Sequence, residues 1–453
     1  MKPSCINLPC ALLLLQISAV AADELKDLKR EVAELTRKIE LLEQQQVATR
    51  KAIEPVVMAE MDDYVVAGNQ PGTIKLPGSE TSFRFQGFVQ ADYVYDIGPR
   101  PTARGGDAAV VQTAMLEGNP EYEMRGDARL NARNTRLGFV TTTPTAYGLL
   151  RTQIDGDFTG PPNDKASRAT TSRTTFGLNN AYAEWGNFLT GQAGSNFQDL
   201  SVLPIFIAAP GPAGQVFVRQ GQVRYTLRFG TGQRLALALE NPKGDFADSG
   251  DSNLDDGLPD LTVHYRHETD RWHYQFGGLL RRIGIDEGIN GGKDDTVGAW
   301  GLTHSGSYKM FDTQDRLSWS LVMGNGLGRY LDISNNQGAS LDSEGKLNAQ
   351  LSYGGFLAYR HWWNTTLQTN MYLGMSVNDV NPPLGAGHTG AGVTDEDNTP
   401  DVNRRLYSAH MNLVWFPVER VRLGVEYIWA RREVQDGRSG GINRIQMNSL
   451  FYF

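Results

Sequence analysis

The feature that most constrains this chain is an alternation that begins at Phe83 and runs to the last residue. In FRFQGFVQADYVYD, Phe83, Phe85, Gly87, Val89, Ala91, Tyr93 and Tyr95 fall on one side of an extended strand. Arg84, Gln86, Phe88, Gln90, Asp92 and Val94 fall on the other. Strand side chains alternate faces with period two, so one face is apolar and aromatic and the other mostly polar. The apolar face recurs in Leu150-Ile154-Phe158, Val223-Tyr225-Leu227-Phe229, Leu235-Leu237-Leu239, Leu317-Trp319-Leu321-Met323 and Val421-Leu423-Val425-Tyr427-Trp429. The segments run about ten to fifteen residues, close to the length of a tilted strand that crosses a bilayer.

Short connections alternate with long ones. Thr143-Pro144-Thr145, Gly186-Asn187, Gly230-Thr231-Gly232, Glu268-Thr269-Asp270, Phe311 to Asp315, Asn364-Thr365 and Phe416-Pro417-Val418 are short. Gly98 to Gly126, Gly160 to Ser172, Asp199 to Val216, Pro242 to Pro259, Asp286 to Asp295, Gly328 to Lys346, Asp379 to Asp401 and Gln435 to Gly441 are long. Seven short turns and eight long loops join sixteen strands. An even count with asymmetric ends predicts an all-β transmembrane barrel of antiparallel strands, with short periplasmic turns and long external loops. Trp185, Phe188, Trp272, Trp362, Trp363, Trp415 and Phe416 flank turns, as an interfacial aromatic girdle requires. A soluble sandwich or propeller would need core on both sides of some strands and leaves that girdle unexplained.

The first 82 residues follow another period. Lys2, the apolar run Ala11 to Val20 and the small residues Ala19 to Ala22 form a secretory signal over residues 1–22, cleaved after Ala21 or Ala22. Both cysteines, Cys5 and Cys10, leave with it, so no disulfide or cysteine metal site is expected; the approach to Cys10 is a poor lipoprotein signal. Residues 23–54 place Leu25, Leu28, Val32, Leu35, Ile39 and Leu42 at alternating steps of three and four, a heptad seam that ends before Pro55. The seam reads as a short α-helical coiled coil in the periplasm; an amphipathic helix lying on the chain's own domain is the other reading. Residues 55–82 form a Gly/Pro linker, and 83–453 the barrel. A formal charge of -8 argues against nucleic acid as a partner.

The chain ends on Met447, Phe451 and a terminal Phe453 that share one strand face. This resembles the C-terminal signal read by the outer-membrane barrel-assembly machinery. Together with Phe83 to Tyr95, Thr135 to Phe139, Phe188 to Gln192 followed by Phe197, and Arg219 to Arg228, the layout resembles the DcaP-like trimeric outer-membrane porins. The resemblance implies a homotrimer in outer-membrane lipid that passes small organic anions, dicarboxylates being the family's class. Phosphate-selective porins are the nearest competitor, but no dense external run of lysines points to them.

A charge on the lipid face costs roughly 2–4 kcal/mol at mid-bilayer, so strand arginines opposite an apolar face should line the pore. Parity assigns Arg84, Arg151, Arg224 and Arg228 to the lumen, with Gln90, Asp92, Gln153, Asp155, Gln222, Asn370, His410, Asn412 and Glu426. Arg129 and Arg133 share a side that Arg136 does not, and a bulge near Asn134-Thr135 would bring all three inward. Arginine suits bidentate binding of carboxylates; an arginine ladder paired with Asp92, Asp155 and Asp157 would merely hydrate the wall. Leu200 to Gly214, LSVLPIFIAAPGPAG, is too apolar for a free surface loop. The resemblance implies that it folds into the channel, with Leu203, Pro204, Ile205 and Phe206 at the constriction; packing on a neighbouring subunit is the alternative.

Gly250-Asp251-Ser252-Asn253 mimics an esterase motif without the strand, helix or histidine partner that chemistry needs. Asp251-x-Asn253-x-Asp255 recurs in calcium loops, but Gly257 comes one position late and Thr262 stands where the closing glutamate belongs. No catalytic group, cofactor or metal is expected. A phosphate-selective or nonspecific channel, a barrel that tethers the envelope and, more remotely, an outer-membrane hydrolase are the competing readings.

Overall fold

The computed structural model describes residues 26, 29–46, 66–68, 70–75, 78–99, 111, 114–119, 122, 125–160, 174–243, 246–247, 253–255, 257–286, 294–310, 313–331, 338–341, 346–379 and 402–453. The signal segment, Leu25 and Leu28 of the seam, most of the linker, Gly250 to Ser252 and the middles of several long loops lie outside these residues. The chain divides into two compact units, Met1–Glu80 and Thr81–Phe453. In the first, residues 29–46 form one helix on which Val32, Leu35, Ile39 and Leu42 are all exposed. Lys38 meets Glu34 one turn earlier at 3.5 Å.

The second unit is a ring of strands. They are β1 (Ser82–Asp96), β2 (Asp127–Asn131, resuming at Arg136–Thr145), β3 (Gly148–Gly160), β4 (Thr175–Trp185), β5 (Phe188–Gly194) and β6 (Arg219–Phe229). Then come β7 (Gln233–Glu240), β8 (Asp260–Glu268), β9 (Trp272–Asp286), β10 (Asp295–Lys309) and β11 (Arg316–Asn325). The last are β12 (Leu351–Trp362), β13 (Leu367–Asp379), β14 (Asn403–Trp415), β15 (Val421–Val434) and β16 (Ser439–Tyr452). Each pairs antiparallel with the next, and β16 pairs with β1 from Arg444↔Asp96 to Tyr452↔Phe88. Closure removes both sheet edges, which hydrocarbon cannot solvate.

The seam between last and first strands is tight. Phe453 N donates to Gly87 O at 3.3 Å. A Cβ on Gly87, whose φ is +155°, would stand 2.9 Å from the Phe453 ring and collide with the carbonyl of Arg136. Only glycine lets the terminal aromatic lie against β1 there.

Burial follows the parity of the sequence. On β1, Val89, Tyr93 and Tyr95 are exposed on the outer face, while Gln90, Asp92, Val94 and Asp96 are buried within. The alternation breaks once in β2, at residues 132–135. There Thr135 N bonds to Ala132 O and Thr135 Oγ1 accepts from Gln90 N at 3.1 Å. The extra residues flip the parity, so Arg129, opposite Val94, and Arg136, opposite Phe88, both take the inner face. Arg133 sits in the interruption rather than on a strand.

Two expectations about connections need correction. Thr143-Pro144-Thr145 is the end of β2, not a turn; the turn falls at Ala146 and Tyr147. Thr145 Oγ1 builds it by donating to Gly148 O at 2.5 Å and accepting from Tyr147 N at 3.3 Å, and Gly148 supplies a φ of +110°. The loop after β11 is not wholly external either. Leu327, Tyr330 and Leu331 turn inward and are buried with Phe197, whose ring meets Tyr330 edge-on at 5.7 Å.

Candidate functional site: the inner wall and its arginines

At the turn-proximal end the inner face carries one arginine after another. Arg228 on β6 lies opposite Arg234 on β7, and Arg234 lies opposite Arg266 on β8. Arg316 on β11 lies opposite Arg360 on β12. Like charges placed directly across strands repel, so such a row is not assembled for stability. Arg151 on β3 bonds Glu184 at 2.8 Å, Gln153 at 2.7 Å and Tyr182 at 3.1 Å. Arg266 is held by Glu268 at 3.1 Å and Asp199 at 3.4 Å. Among the described residues Arg228 reaches Asn187, at 3.2 Å. Arg224 and Arg234 make no hydrogen bond or ion pair among the described residues, and the Nε of Arg234 is buried. Arg151, Glu184, Arg224, Arg228, Arg234 and His264 line a cavity of about 330 Å³.

The segment after β5 leaves the wall and crosses to the strands opposite. Asp199 fastens its start. Oδ1 accepts from Ser201 N at 3.1 Å and Ser201 Oγ at 2.6 Å, while Oδ2 accepts from His273 Nε2 at 2.6 Å and Ser305 Oγ at 2.7 Å. Burial pushes this carboxyl up, but the bonds from His273 and the two serines win and hold it well below the usual carboxylate value. Val202 then packs with Phe356, Ala358 and Tyr372, with Leu203 and Phe206 against them. Asn412 donates to Ile205 O at 2.7 Å, and Ile207 N donates to Glu426 at 2.7 Å. Glu426 also receives Tyr372 OH at 2.6 Å and contacts His410 at 3.0 Å. Ala213 N donates to Ser408 at 2.9 Å, and a Cβ on Gly374 would stand 2.9 Å from the same nitrogen. Leu203, Pro204 and Ile205 face Arg316, Arg360 and Asn370 across a gap of about 40 Å³.

Nearer the loop end, the inner face of the same strands carries a different arrangement. Glu240 on β7 accepts from Ser195 Oγ at 2.7 Å, Asn196 N at 2.7 Å and Thr262 Oγ1 at 2.9 Å, and bonds Gln220. Asp260 on β8 takes Tyr330 OH at 2.9 Å, Arg329 at 2.6 Å and Arg281 at 3.4 Å. Each of these two acids thus binds several neighbours at once.

The residues singled out by parity end up in separate places. Arg151, Arg224 and Arg228 share the cavity with Arg234. Arg84 stands exposed near the start of β1. Gln90 donates to Asp92 at 2.8 Å, and Asn134 donates to the same carboxylate at 2.8 Å. Arg129 bonds Asp127 at 2.5 Å and pairs with Asp96, which Arg444 also holds at 2.7 Å. Arg133 reaches Thr159 O at 3.4 Å. Arg234, Arg266, Arg316 and Arg360 were not singled out. The signal was present: each sits in step with small or polar residues, as Arg234 does with Ala236 and Ala238, opposite Leu235-Leu237-Leu239.

No curated protein matches the chain. Among solved structures, the outer membrane channel DcaP of Acinetobacter baumannii is 23% identical, with a TM-score of 0.71, and covers 86% of this chain and 100% of its own. An anion-selective porin from Comamonas acidovorans is 12% identical at a TM-score of 0.50, covering 83% and 100%. OmpT of Vibrio cholerae is 10% identical at 0.50, covering 83% and 99%. At these identities the likeness speaks for the fold. The family model for the DcaP outer membrane protein matches residues 12–453, and so takes in the helix as well as the closed ring of strands: the chain belongs to the DcaP outer membrane protein family.

Proposed function

We propose that this outer-membrane porin passes small organic anions, dicarboxylates among them. The observation that carries the reading is the row Arg228, Arg234 and Arg266 with Arg224 beside it, two of its members lacking any partner among the described residues. A guanidinium without a partner is a standing site for a planar, two-oxygen anion. The acids of the wall do not offset it. Asp92, Asp96, Asp155, Glu240 and Asp260 are each committed to neighbouring amides, hydroxyls or arginines. Arg84, Arg129 and Arg133 belong to the lumen lining in this reading, and Leu203 to Phe206 form the constriction, next to Arg316 and Arg360. The anion-selective Comamonas porin shares the fold and lends the reading support.

The exposed seam Val32, Leu35, Ile39 and Leu42 fits a periplasmic coiled coil that joins three copies. The signal peptide and recognition of Phe453 by the assembly machinery complete the picture. Bilayer electrophysiology tests it: under a salt gradient the reversal potential should report anion preference, and added dicarboxylates should block the current. Cation preference, or a barrel with no open-channel current, overturns it.

A further inference from the structure

The outer wall carries a depression that transport does not use. It has a volume of about 1130 Å³ on the lipid-facing side of β9 to β15 and is almost wholly apolar. Gly355 and Ala409 keep its floor low, and Trp319, Tyr353, Tyr407 and Trp429 form its rim. Just beyond it, toward the long-loop end, the same outward columns stop being apolar. Arg431 lies opposite Tyr407, and Arg405 is two residues above Tyr407 on β14. Both project from the outward face, with side-chain exposures of 56% and 40%. Arg404, Arg405 and Arg431 outnumber the acids that approach them, Glu433 and Glu117, and the closest of these ion-pair distances is 3.4 Å. An outward apolar band is ordinary for such a barrel, but a depression in it lets acyl chains touch wall on more than one side. Long loops of such barrels face outward, so the arginines stand at the outer leaflet's headgroup level.

We infer that this groove binds an acylated, phosphorylated lipid of the outer leaflet, its chains along Gly355 and Ala409 and its phosphate on Arg405 and Arg431. The charge pattern selects this occupant. A neutral phospholipid makes no use of the arginines, and a second copy of the chain would have to bury them.

The test uses the full-length barrel in nanodiscs of phosphatidylethanolamine doped with bisphosphorylated lipid A or with its dephosphorylated form, read by native mass spectrometry. The phosphorylated lipid should be retained preferentially. Arg431→Gln should weaken retention about fivefold, and Arg405→Gln with Arg431→Gln about thirtyfold, on the scale of one cationic side chain at a membrane surface. Ala409→Trp, which fills the floor, should displace both lipids alike. Single-channel conductance should not change in these variants, which shows that the barrel has formed. Equal retention of the dephosphorylated lipid would reduce the groove to an ordinary apolar belt. Unchanged retention in the double arginine variant, or cross-links from position 409 to another copy, would overturn the assignment.

Discussion

Two regions of the inner wall sit on the same strands and treat charge in opposite ways. Toward the long loops, Glu240 and Asp260 are buried and each gathers several hydroxyls, amides or guanidinium groups. Toward the short turns, Arg224 and Arg234 make no hydrogen bond or ion pair among the described residues, and Arg228 bonds one amide. Such a densely bonded network rigidifies and holds the infolded segments 195–199 and 327–331 in place. Arg224 and Arg234 tie down no neighbour among the described residues, and in the proposed reading their worth lies in what arrives from solution. In that reading the difference separates structural charge from transport charge.

The comparison breaks most visibly at Asp260. Asp260→Ala removes the carboxylate from Arg281 and Arg329, whose side chains are at most 7% exposed. It should cost about 3–5 kcal/mol, as for other buried pairs broken on one side. The check is the unfolding midpoint of the detergent-solubilised barrel, and ion selectivity in the surviving channels should stay as it was.

Asp199→Ala comes next, at about 1–3 kcal/mol for the donors it orphans. It should loosen the crossing segment and raise conductance noise in single-channel records. The pH dependence of this latch follows from its sign. The ordinary value is 3.8 and the folded value is depressed, so the stabilisation is fully present above the ordinary value and disappears only as pH falls toward the depressed one. Conductance should therefore be insensitive to Asp199 titration at any pH above about 4. A latch lost between neutrality and pH 5 would contradict this.

Arg224→Gln combined with Arg234→Gln sharpens the other side of the comparison. Relief of like-charge crowding should leave stability within about 1 kcal/mol of the parent. Reversal potential should move toward cations and dicarboxylate block should weaken. A loss of stability as large as that of Asp260→Ala would mean that the row is structural after all. Arg84→Gln is the smallest expected change: an exposed arginine in screened solvent should shift selectivity slightly and stability by less than about 0.5 kcal/mol.

Much of the fold was legible because a strand's period of two is rigid. Once Phe83 to Asp96 had an apolar side, the side of each later strand followed from its own leucines and tryptophans. The sites where reading by parity failed were places where side chains, not period, decide the path. Thr145 builds a turn that Pro144 marks two residues too early. At Thr135, which grips Gln90, period alone also fails, but there the opposed parities of Arg129 and Arg136 had called for the bulge that is found. The inward bend at Tyr330 depends on Glu240 and Asp260, which lie 90 and 70 residues earlier, and no local pattern foretells it. The unpartnered arginines were half legible for the same reason. Parity shows where Arg224 points, but only the fold shows that no hydrogen bond or ion pair meets it among the described residues.

The seam at Gly87 and Phe453 has a consequence for the making of the molecule. Arg444 reaches Asp96 across 348 residues, so the contacts that close the ring join the two ends of the barrel sequence. Such contacts form only after nearly all the chain is in hand, because the entropy of closing so long a loop must be met first. The ring cannot be shortened by a strand. A chain cut before β16 would not be a fifteen-sixteenths porin but an open sheet with two raw edges, so a single missing terminus converts a finished protein into material for clearance.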